Sequence, residues 1–175
     1  MTTEAVVIVA AKRTPMGGFM GALNDAQSTE LGATAIASAL AETGLSTDAI
    51  DEVIMGCVLP AGVGQAPARQ AMLKAGLALS TGATTINKVC GSGLKAAMLA
   101  HDLIKAGSIN SAVAGGMESM SNAPYFIPKA RGGMRMGHGE IKDHMMSDGL
   151  EDAYDNKAMG CFAQDTADEY GISRE

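Results

Sequence analysis

The sequence predicts an α/β protein whose largely parallel sheet is covered by helices on both faces. Two observations predict this class. Short apolar or β-branched runs alternate along the chain with longer segments in which apolar residues recur at helical spacing. Several of the short runs are apolar throughout, as expected for strands that are buried on both faces. Strands that alternate with helices build a layered domain.

The elements follow in order along the first two thirds of the chain. Strands are predicted at residues 5–11, 51–59, 83–89 and 111–118. Helices are predicted at residues 28–44, 66–76 and 92–107. Ser28 or Thr29 is expected to cap the first helix, and Gly44 to end it. The third helix carries alanine or apolar residues on most sides, which predicts that it is buried on most sides.

The pattern changes after Ser119. Residues 120–160 combine prolines, glycines, methionines and charges without a clear period, which predicts a loop-rich region that is too long for an ordinary connection. Helical spacing returns from Cys161 to about Tyr170. We therefore predict an α/β domain at residues 1–119 and a partial loop domain at residues 120–175.

Composition and charge narrow the classes of partner. The chain has 175 residues and a net charge of −6, which argues against a nucleic-acid partner. It contains no apolar run near the roughly 18 residues of a membrane span, so no membrane partner is expected. The N-terminal apolar run precedes Lys12 and Arg13, the reverse of the order in a signal peptide, which predicts a cytoplasmic protein.

The cysteines and histidines do not form a metal-binding pattern. Cys57, Cys90 and Cys161 have no regular spacing, and neither a CxxC nor an HExxH motif occurs. We expect no metal site and no disulfide framework. Cys57 lies among apolar residues of a predicted strand and is expected to be buried, and Cys161 is interpreted as structural.

Cys90 lies in "NKVCGSGLKAA", where a predicted strand gives way to a predicted helix. The unpaired N–H groups and the dipole of a helix N-terminus favour the negative charge of a thiolate. The glycines that follow allow a substrate to approach the backbone, and the same N–H groups can bind an oxyanion. The pattern therefore suits acyl transfer through a thioester. From spacing alone, a catalytic role for Cys90 and a structural role as a small buried apolar residue have equal weight.

Four motifs in order resemble the thiolase family, and within it the acetyl-CoA acetyltransferase type. They are "VVIVAAKRTPMGGFMGAL", "NKVCGSGLKA", "GGMESMSNAPY" and "PKARGGMRMGHGEIKDHMMSDGL". Together they extend over most of the chain. The resemblance implies a layered α/β/α N-terminal half, followed by the start of an inserted loop domain. It implies that the C-terminal half, with its general-base histidine and second cysteine, is absent from these residues.

The resemblance also implies roles for individual residues. Cys90 matches the cysteine that takes the acyl group from acyl-CoA, and its N–H matches an oxyanion donor. Met159 matches a methionine that lines the acyl pocket. The cluster of Lys129, Arg131 and Arg135 falls in the loop domain. A contact with coenzyme A or with another subunit and a solvated charged surface are equally weighted interpretations of it. The three histidines match neither catalytic role and are expected on the surface or in loops.

The implied activity is an acyltransferase of fatty-acid metabolism that condenses two acetyl-CoA to acetoacetyl-CoA and runs the reverse thiolysis. A coenzyme A thioester is the substrate, and no bound cofactor is expected. The implied assembly is a homodimer or homotetramer, with residues 83–90 pairing across a two-fold axis. Two alternatives stay open: a degradative 3-ketoacyl-CoA thiolase of broader chain length, and a short non-catalytic module that binds coenzyme A. Ala158, where acetyl-CoA acetyltransferases often carry histidine, leaves the acyl preference open.

Overall fold

The structure, a computed structural model, describes residues 5–175. The chain divides into two compact units, Met1–Asn122 and Ala123–Glu175. The division falls close to the change of composition after Ser119. The assignment of residues 1–119 and 120–175 to an α/β domain and a loop domain stays a prediction.

The first unit alternates helices with strands, which confirms the α/β class. In chain order it contains α1 (Ser28–Thr43), β1 (Glu52–Gly56), α2 (Pro67–Lys74), β2 (Gly82–Ile86), α3 (Ser92–Lys105) and β3 (Ala112–Gly116). The three strands form a parallel sheet in the order β2–β1–β3. Ile54, in the middle strand, pairs with Thr84 on one side and Ala114 on the other.

Helices lie on both faces of this sheet, as the sequence predicts. Successive side chains of a strand point to opposite faces. On one face, Val53 and Met55 of β1 pack in an apolar cluster with α1 and α2, and on the other face Ile54 packs against α3. The helix residues in these clusters are Ile36, Leu40, Ala68, Ala71, Met72, Ala96 and Ala100. The continuous apolar run of β1 is thus explained by burial from both sides.

The strand predicted at residues 5–11 is wrong in this structure. The segment has no regular secondary structure, and most of its apolar side chains are exposed, with Ile8 at 88%. A strand forms only where a neighbouring strand takes up its backbone hydrogen bonds. Within residues 5–175, no strand pairs with this segment. The β-branched residues of this segment favour a strand, but no strand among the described residues pairs with it, so none forms here.

Two expectations about the helices are corrected. The cap of α1 is Gln27, whose backbone N–H donates to Glu30 Oε2 at 3.0 Å, and neither Ser28 nor Thr29 takes that place. Helix α3 is not buried on most sides, because it packs on the sheet by one face only. Leu94, on the opposite side, is 71% exposed.

The second unit holds little regular structure before its last helix. It contains the two-residue strands β4 (Tyr125–Phe126) and β5 (Lys142–Asp143), which pair antiparallel, and helix α4 (Met159–Tyr170). A single π-helical turn, Met146–Leu150, follows β5. The predicted loop-rich character of residues 120–160 is confirmed.

Candidate active site

Cys90 lies between the end of β2 at Ile86 and the start of α3 at Ser92. The sequence predicted this strand-to-helix junction, and the structure confirms it. The thiol is exposed. Cys90 stands just before the first residue of α3, a 14-residue helix. The backbone N–H groups at this helix end have no partner within the helix and favour negative charge.

The backbone turns sharply just before the thiol. Val89 has a φ of 48°, in the left-handed region that a β-branched residue rarely adopts. The turn is closed by backbone hydrogen bonds from Gly91 N to the oxygen of Lys88 and from Ser92 N to the oxygen of Val89, both 3.1 Å long. Such strain persists only where surrounding contacts hold it.

Side chains on either side of Cys90 hold this turn. Asn87 Oδ1 accepts a hydrogen bond from the N–H of Val89 at 2.8 Å. Ser92 Oγ donates to the oxygen of Val89 at 2.6 Å and accepts from the N–H of Lys88 at 2.8 Å. The turn is thus bound through side chains as well as through its own backbone.

Glycines allow α3 to start directly against the sheet. A Cβ placed on Gly56 would lie 2.5 Å from the Cβ of Ser92 and 3.0 Å from the nitrogen of Gly93. No real Cβ tolerates the first of these distances. The end of β1 therefore needs glycine so that the first turn of α3, and Cys90 with it, can lie against the sheet.

The three thiols differ in their surroundings. Cys57 follows β1, is 1% exposed and lies 3.7 Å from Glu118 Oε1. Burial first, and the neighbouring Glu118 carboxylate second, raise the pKa of the Cys57 thiol from 9.0 to about 11. Cys57 therefore stays protonated and shielded at neutral pH, in agreement with the burial that was predicted for it. Cys161, by contrast, is exposed near the start of α4.

Met159 is the first residue of α4 in the second unit, and its side chain is 40% exposed. Cys90 belongs to the first unit. The assignment of Met159 to an acyl pocket stays a prediction.

One histidine differs from its expectation. His144 is only 5% exposed, and its Nδ1 lies 2.7 Å from Asp148 Oδ2, one turn along the chain. This contact joins the residue after β5 to the π-helical turn that follows it. The four-residue spacing from histidine to aspartate was visible in the sequence and could have predicted this contact. His138 and His101 are exposed, as expected.

The contacts of three residues were not predicted from the sequence: Asn87 and Ser92, which hold the turn before Cys90, and Glu118, which binds the segment after β1. The Asn87 side chain contacts the backbone two residues ahead, a spacing that asparagine commonly bridges in turns, so a local signal existed. Glu118 Oε2 and Oε1 accept hydrogen bonds from the N–H groups of Val58 and Leu59 at 2.8 and 3.0 Å. No local signal predicts that contact, because about sixty residues separate its partners.

Residues 5–175 contain neither a metal-binding cluster nor a membrane-spanning helix. In that part of the chain, no three or more His, Cys, Asp or Glu side chains come together as a cation would require. Within the same residues, every helix is too short or too polar to cross a bilayer.

The comparisons with known proteins agree on one family. Residues 6–175 match the sequence model described as thiolase, N-terminal domain. The chain is 52% identical over 172 residues to an acetyl-CoA acetyltransferase of Pseudomonas aeruginosa, covering 98% of this chain and 44% of that protein. It is 51% identical over 170 residues to an acetyl-CoA acetyltransferase of Escherichia coli, covering 97% of this chain and 43% of that protein.

A plant relative gives the same result. The chain is 49% identical over 170 residues to acetyl-CoA acetyltransferase 2 of Arabidopsis thaliana, covering 97% of this chain and 42% of that protein. The chain therefore spans less than half the length of these curated relatives.

Proposed function

The chain belongs to the thiolase family, and from this membership and the position of its exposed thiol we propose that Cys90 accepts an acyl group from acetyl-CoA. The whole protein would condense two acetyl-CoA to acetoacetyl-CoA and catalyse the reverse thiolysis. The observation that carries the proposal is the exposed Cys90 thiol at the N-terminus of α3, on a turn held from both sides.

The first half-reaction follows from that position. The Cys90 thiolate attacks the thioester carbonyl of acetyl-CoA, and a carbon–sulfur bond forms while negative charge gathers on the oxygen. The N–H of Cys90 and the dipole of α3 stabilise this oxyanion. The intermediate collapses, the bond to the sulfur of coenzyme A breaks, and the leaving thiolate takes up the proton that the Cys90 thiol gave up before its attack. The products are acetyl-Cys90 and free coenzyme A.

The second half-reaction needs groups beyond those described here. A base must remove an α-proton from a second acetyl-CoA, and the resulting carbanion attacks the acetyl group on Cys90. A carbon–carbon bond then forms while the bond to the Cys90 sulfur breaks, which releases acetoacetyl-CoA and returns the thiolate. By resemblance, the family's base histidine and second cysteine lie in a C-terminal half. Because the chain spans 44% of the Pseudomonas aeruginosa relative, we propose that these 175 residues carry the acyl-accepting half and do not turn over alone.

No bound cofactor is needed in this scheme. The thioester carbonyl of the substrate acidifies its own α-proton, and the sulfur of coenzyme A is itself the leaving group. Coenzyme A therefore enters only as part of the substrate.

Met159 is proposed to line the acyl pocket. Its support is an apolar, partly exposed side chain at the first residue of α4 and the match of the surrounding motif to the family. A flexible thioether adapts to the shape of a small acyl group. The exposed Lys129, Arg131 and Arg135 are proposed to attract the phosphates of coenzyme A.

The proposed assembly is a homo-oligomer built on β2. Among residues 5–175, this strand forms one edge of the sheet, so its outer backbone groups can pair with a second strand. Two copies related by a two-fold axis could pair their β2 strands in an isologous contact. The proposed compartment is the cytoplasm and the proposed role is in fatty-acid metabolism. Three free cysteines, which are typical of reducing compartments, support the compartment.

Ala158 favours a second candidate, a 3-ketoacyl-CoA thiolase that accepts longer chains. It stands directly before Met159, where the acetyl-specific type often carries histidine, and a methyl group there occupies less space than an imidazole. A longer acyl group would then fit in the same site. A non-catalytic module that binds coenzyme A is a further alternative, which a turnover measurement distinguishes.

The test is thiolysis by the protein purified from its source. Acetoacetyl-CoA and longer 3-ketoacyl-CoA thioesters are supplied with coenzyme A, and loss of each thioester is followed for wild type and Cys90→Ala. The proposal predicts turnover that Cys90→Ala abolishes, fastest with acetoacetyl-CoA. Faster turnover of longer chains would favour the second candidate. Coenzyme A binding without turnover, or full activity in Cys90→Ala, would contradict the proposal.

A further inference from the structure

We propose that Asn87 and Ser92 are positioning residues, which keep Cys90 at the start of α3 by bracing the strained backbone of Val89. The inference rests on the proposed role of Cys90 as acyl acceptor. It names the side chains on which the placement of that thiol depends.

The Asn87 and Ser92 side chains, together called the brace, are needed because of the backbone conformation of Val89. At a φ of 48°, the side chain of a β-branched residue crowds its own backbone, and the extended region is far more favourable. If Val89 relaxed to negative φ, the peptide between Val89 and Cys90 would rotate. The thiol would then leave its place beside the N-terminus of α3.

The brace holds both polar backbone groups of Val89. Its N–H donates to Asn87 Oδ1 at 2.8 Å, and its carbonyl oxygen accepts from Ser92 Oγ at 2.6 Å. Ser92 Oγ also accepts from Lys88 N–H at 2.8 Å, so one hydroxyl spans the two residues before the thiol. Rotation of either peptide that flanks Val89 would break at least one of these bonds.

The brace is anchored in the sheet. Asn87 Nδ2 donates to the oxygen of Val58, which follows β1, at 3.4 Å. Ser92 is buried at the closest approach of α3 to Gly56, the last residue of β1. Asn87 therefore connects the turn to the segment after β1, and Ser92 connects it to the end of β1 itself.

A role in positioning and a role in stability alone predict changes in the alkylation rates of different thiols. If Asn87 and Ser92 served stability only, their loss would loosen the unit and increase alkylation of the buried Cys57. If they position Cys90, their loss slows alkylation of Cys90 while Cys57 stays protected. Cys161, exposed in the second unit, serves as an internal reference for the reagent.

The experiment measures iodoacetamide alkylation of the full chain by peptide mass mapping, with a separate rate for each cysteine. We expect Asn87→Ala and Ser92→Ala each to slow Cys90 by about tenfold relative to Cys161, because relaxation of the strained turn depopulates the reactive position. Asn122→Ala is the matched control. It also removes an asparagine that binds backbone oxygens, those of Asn24 and Ala26, and it should leave the Cys90 rate unchanged.

A rescue variant tests the strain directly. Glycine adopts positive φ at little cost, so Val89→Gly makes the brace dispensable. In the double variant Asn87→Ala/Val89→Gly, Cys90 should react within about threefold of Val89→Gly alone, which is the non-additivity expected of residues that act through each other. The double variant also carries less strain, so it reports on the brace even if Asn87→Ala alone does not fold.

Unchanged Cys90 rates in both single variants would overturn the proposal. Faster alkylation of both Cys57 and Cys90 in the single variants would also overturn it. So would a tenfold loss of the Cys90 alkylation rate that persists when Val89→Gly is added. Alkylation requires no thioester chemistry, so its result is independent of acyl transfer. If Cys90 takes no acetyl group from acetyl-CoA while the brace variants still slow its alkylation, the proposed function fails and the brace stands.

Discussion

Glu118 Oε2 lies 2.8 Å from the backbone nitrogen of Val58, although about sixty residues separate the two in the chain. The same carboxylate accepts from Leu59 N–H at 3.0 Å. It joins the segment after β3 to the segment after β1, and the oxygen of Val58 in turn accepts from Asn87. Contacts that connect the strand ends thus continue to the turn that carries Cys90.

Removing this carboxylate should destabilise the first unit. Glu118→Ala leaves two backbone N–H groups without their charged acceptor, and hydrogen bonds to charged groups are worth more than neutral ones, so we expect a loss of about 2–3 kcal/mol. Glu118→Gln keeps one acceptor oxygen and should lose less. Glu169→Ala, at an exposed position of α4, is the control and should change stability by less than about 0.5 kcal/mol. Equal urea midpoints for Glu118→Ala and Glu169→Ala would contradict this role.

Cys57 should make the fold sensitive to alkaline pH. Its pKa is raised from 9.0 to about 11 in the folded state, so the unfolded chain loses this proton first as pH rises. The contribution of Cys57 to stability is complete below pH 9 and is lost between pH 9 and about 11, up to roughly 2–3 kcal/mol.

The measurement is the free energy of unfolding of wild type and Cys57→Ala across this pH range. The alanine variant is less stable at neutral pH because it leaves a cavity, but its stability should fall less between pH 9 and 11. Parallel curves for the two proteins would show that Cys57 titrates alike in both states.

The close contact of β1 with α3 should tolerate no side chain at Gly56. An alanine there would place its Cβ against Ser92 and the backbone of α3, and we expect a loss of about 1–3 kcal/mol from overpacking. Gly160→Ala is the matched control, since a Cβ on this glycine of α4 meets nothing within 4 Å. It should be neutral or slightly stabilising, because alanine favours helix. Thermal unfolding of both variants measures the difference, and equal effects would contradict the packing argument.

The open edge of β2 should lead to self-association. Sedimentation velocity at roughly tens of micromolar should show a dimer or larger species. Thr84→Lys puts a charge on an exposed residue of this edge strand, where natural edge strands use lysine to prevent pairing, and should shift the protein towards monomer. Monomeric wild type, or an unchanged distribution in Thr84→Lys, would argue against assembly through β2.

Much of the fold follows from local pattern. The apolar run of β1 and the helical spacing of α3 predicted their elements, because burial on two faces or one leaves a period in the sequence. The segment at residues 5–11 carried the same signal as β1 and still forms no strand here. Pairing depends on a partner strand, and no local pattern encodes whether that partner is present.

The site divides in the same way. The place of Cys90 could be predicted, since glycines and a serine after a β-branched run are typical of a strand that turns into a helix. The strain at Val89 could not, because valine ordinarily avoids positive φ and only surrounding contacts impose it. The contacts of Glu118 could not be predicted for a related reason. Its partners are backbone N–H groups, which almost every residue has, so the sequence does not mark them.

Acyl transfer to Cys90 is tested most directly by trapping the intermediate. The protein purified from its source is incubated with acetyl-CoA, quenched in acid and mapped by mass spectrometry. We predict one acetyl group as a thioester on the peptide that contains Cys90, absent from Cys90→Ala and removed by added coenzyme A. Cys161, as the second exposed thiol, should be acetylated at least about tenfold less. Equal acetylation of Cys90 and Cys161, or turnover in a protein whose Cys90 never carries the acetyl group, would contradict the account.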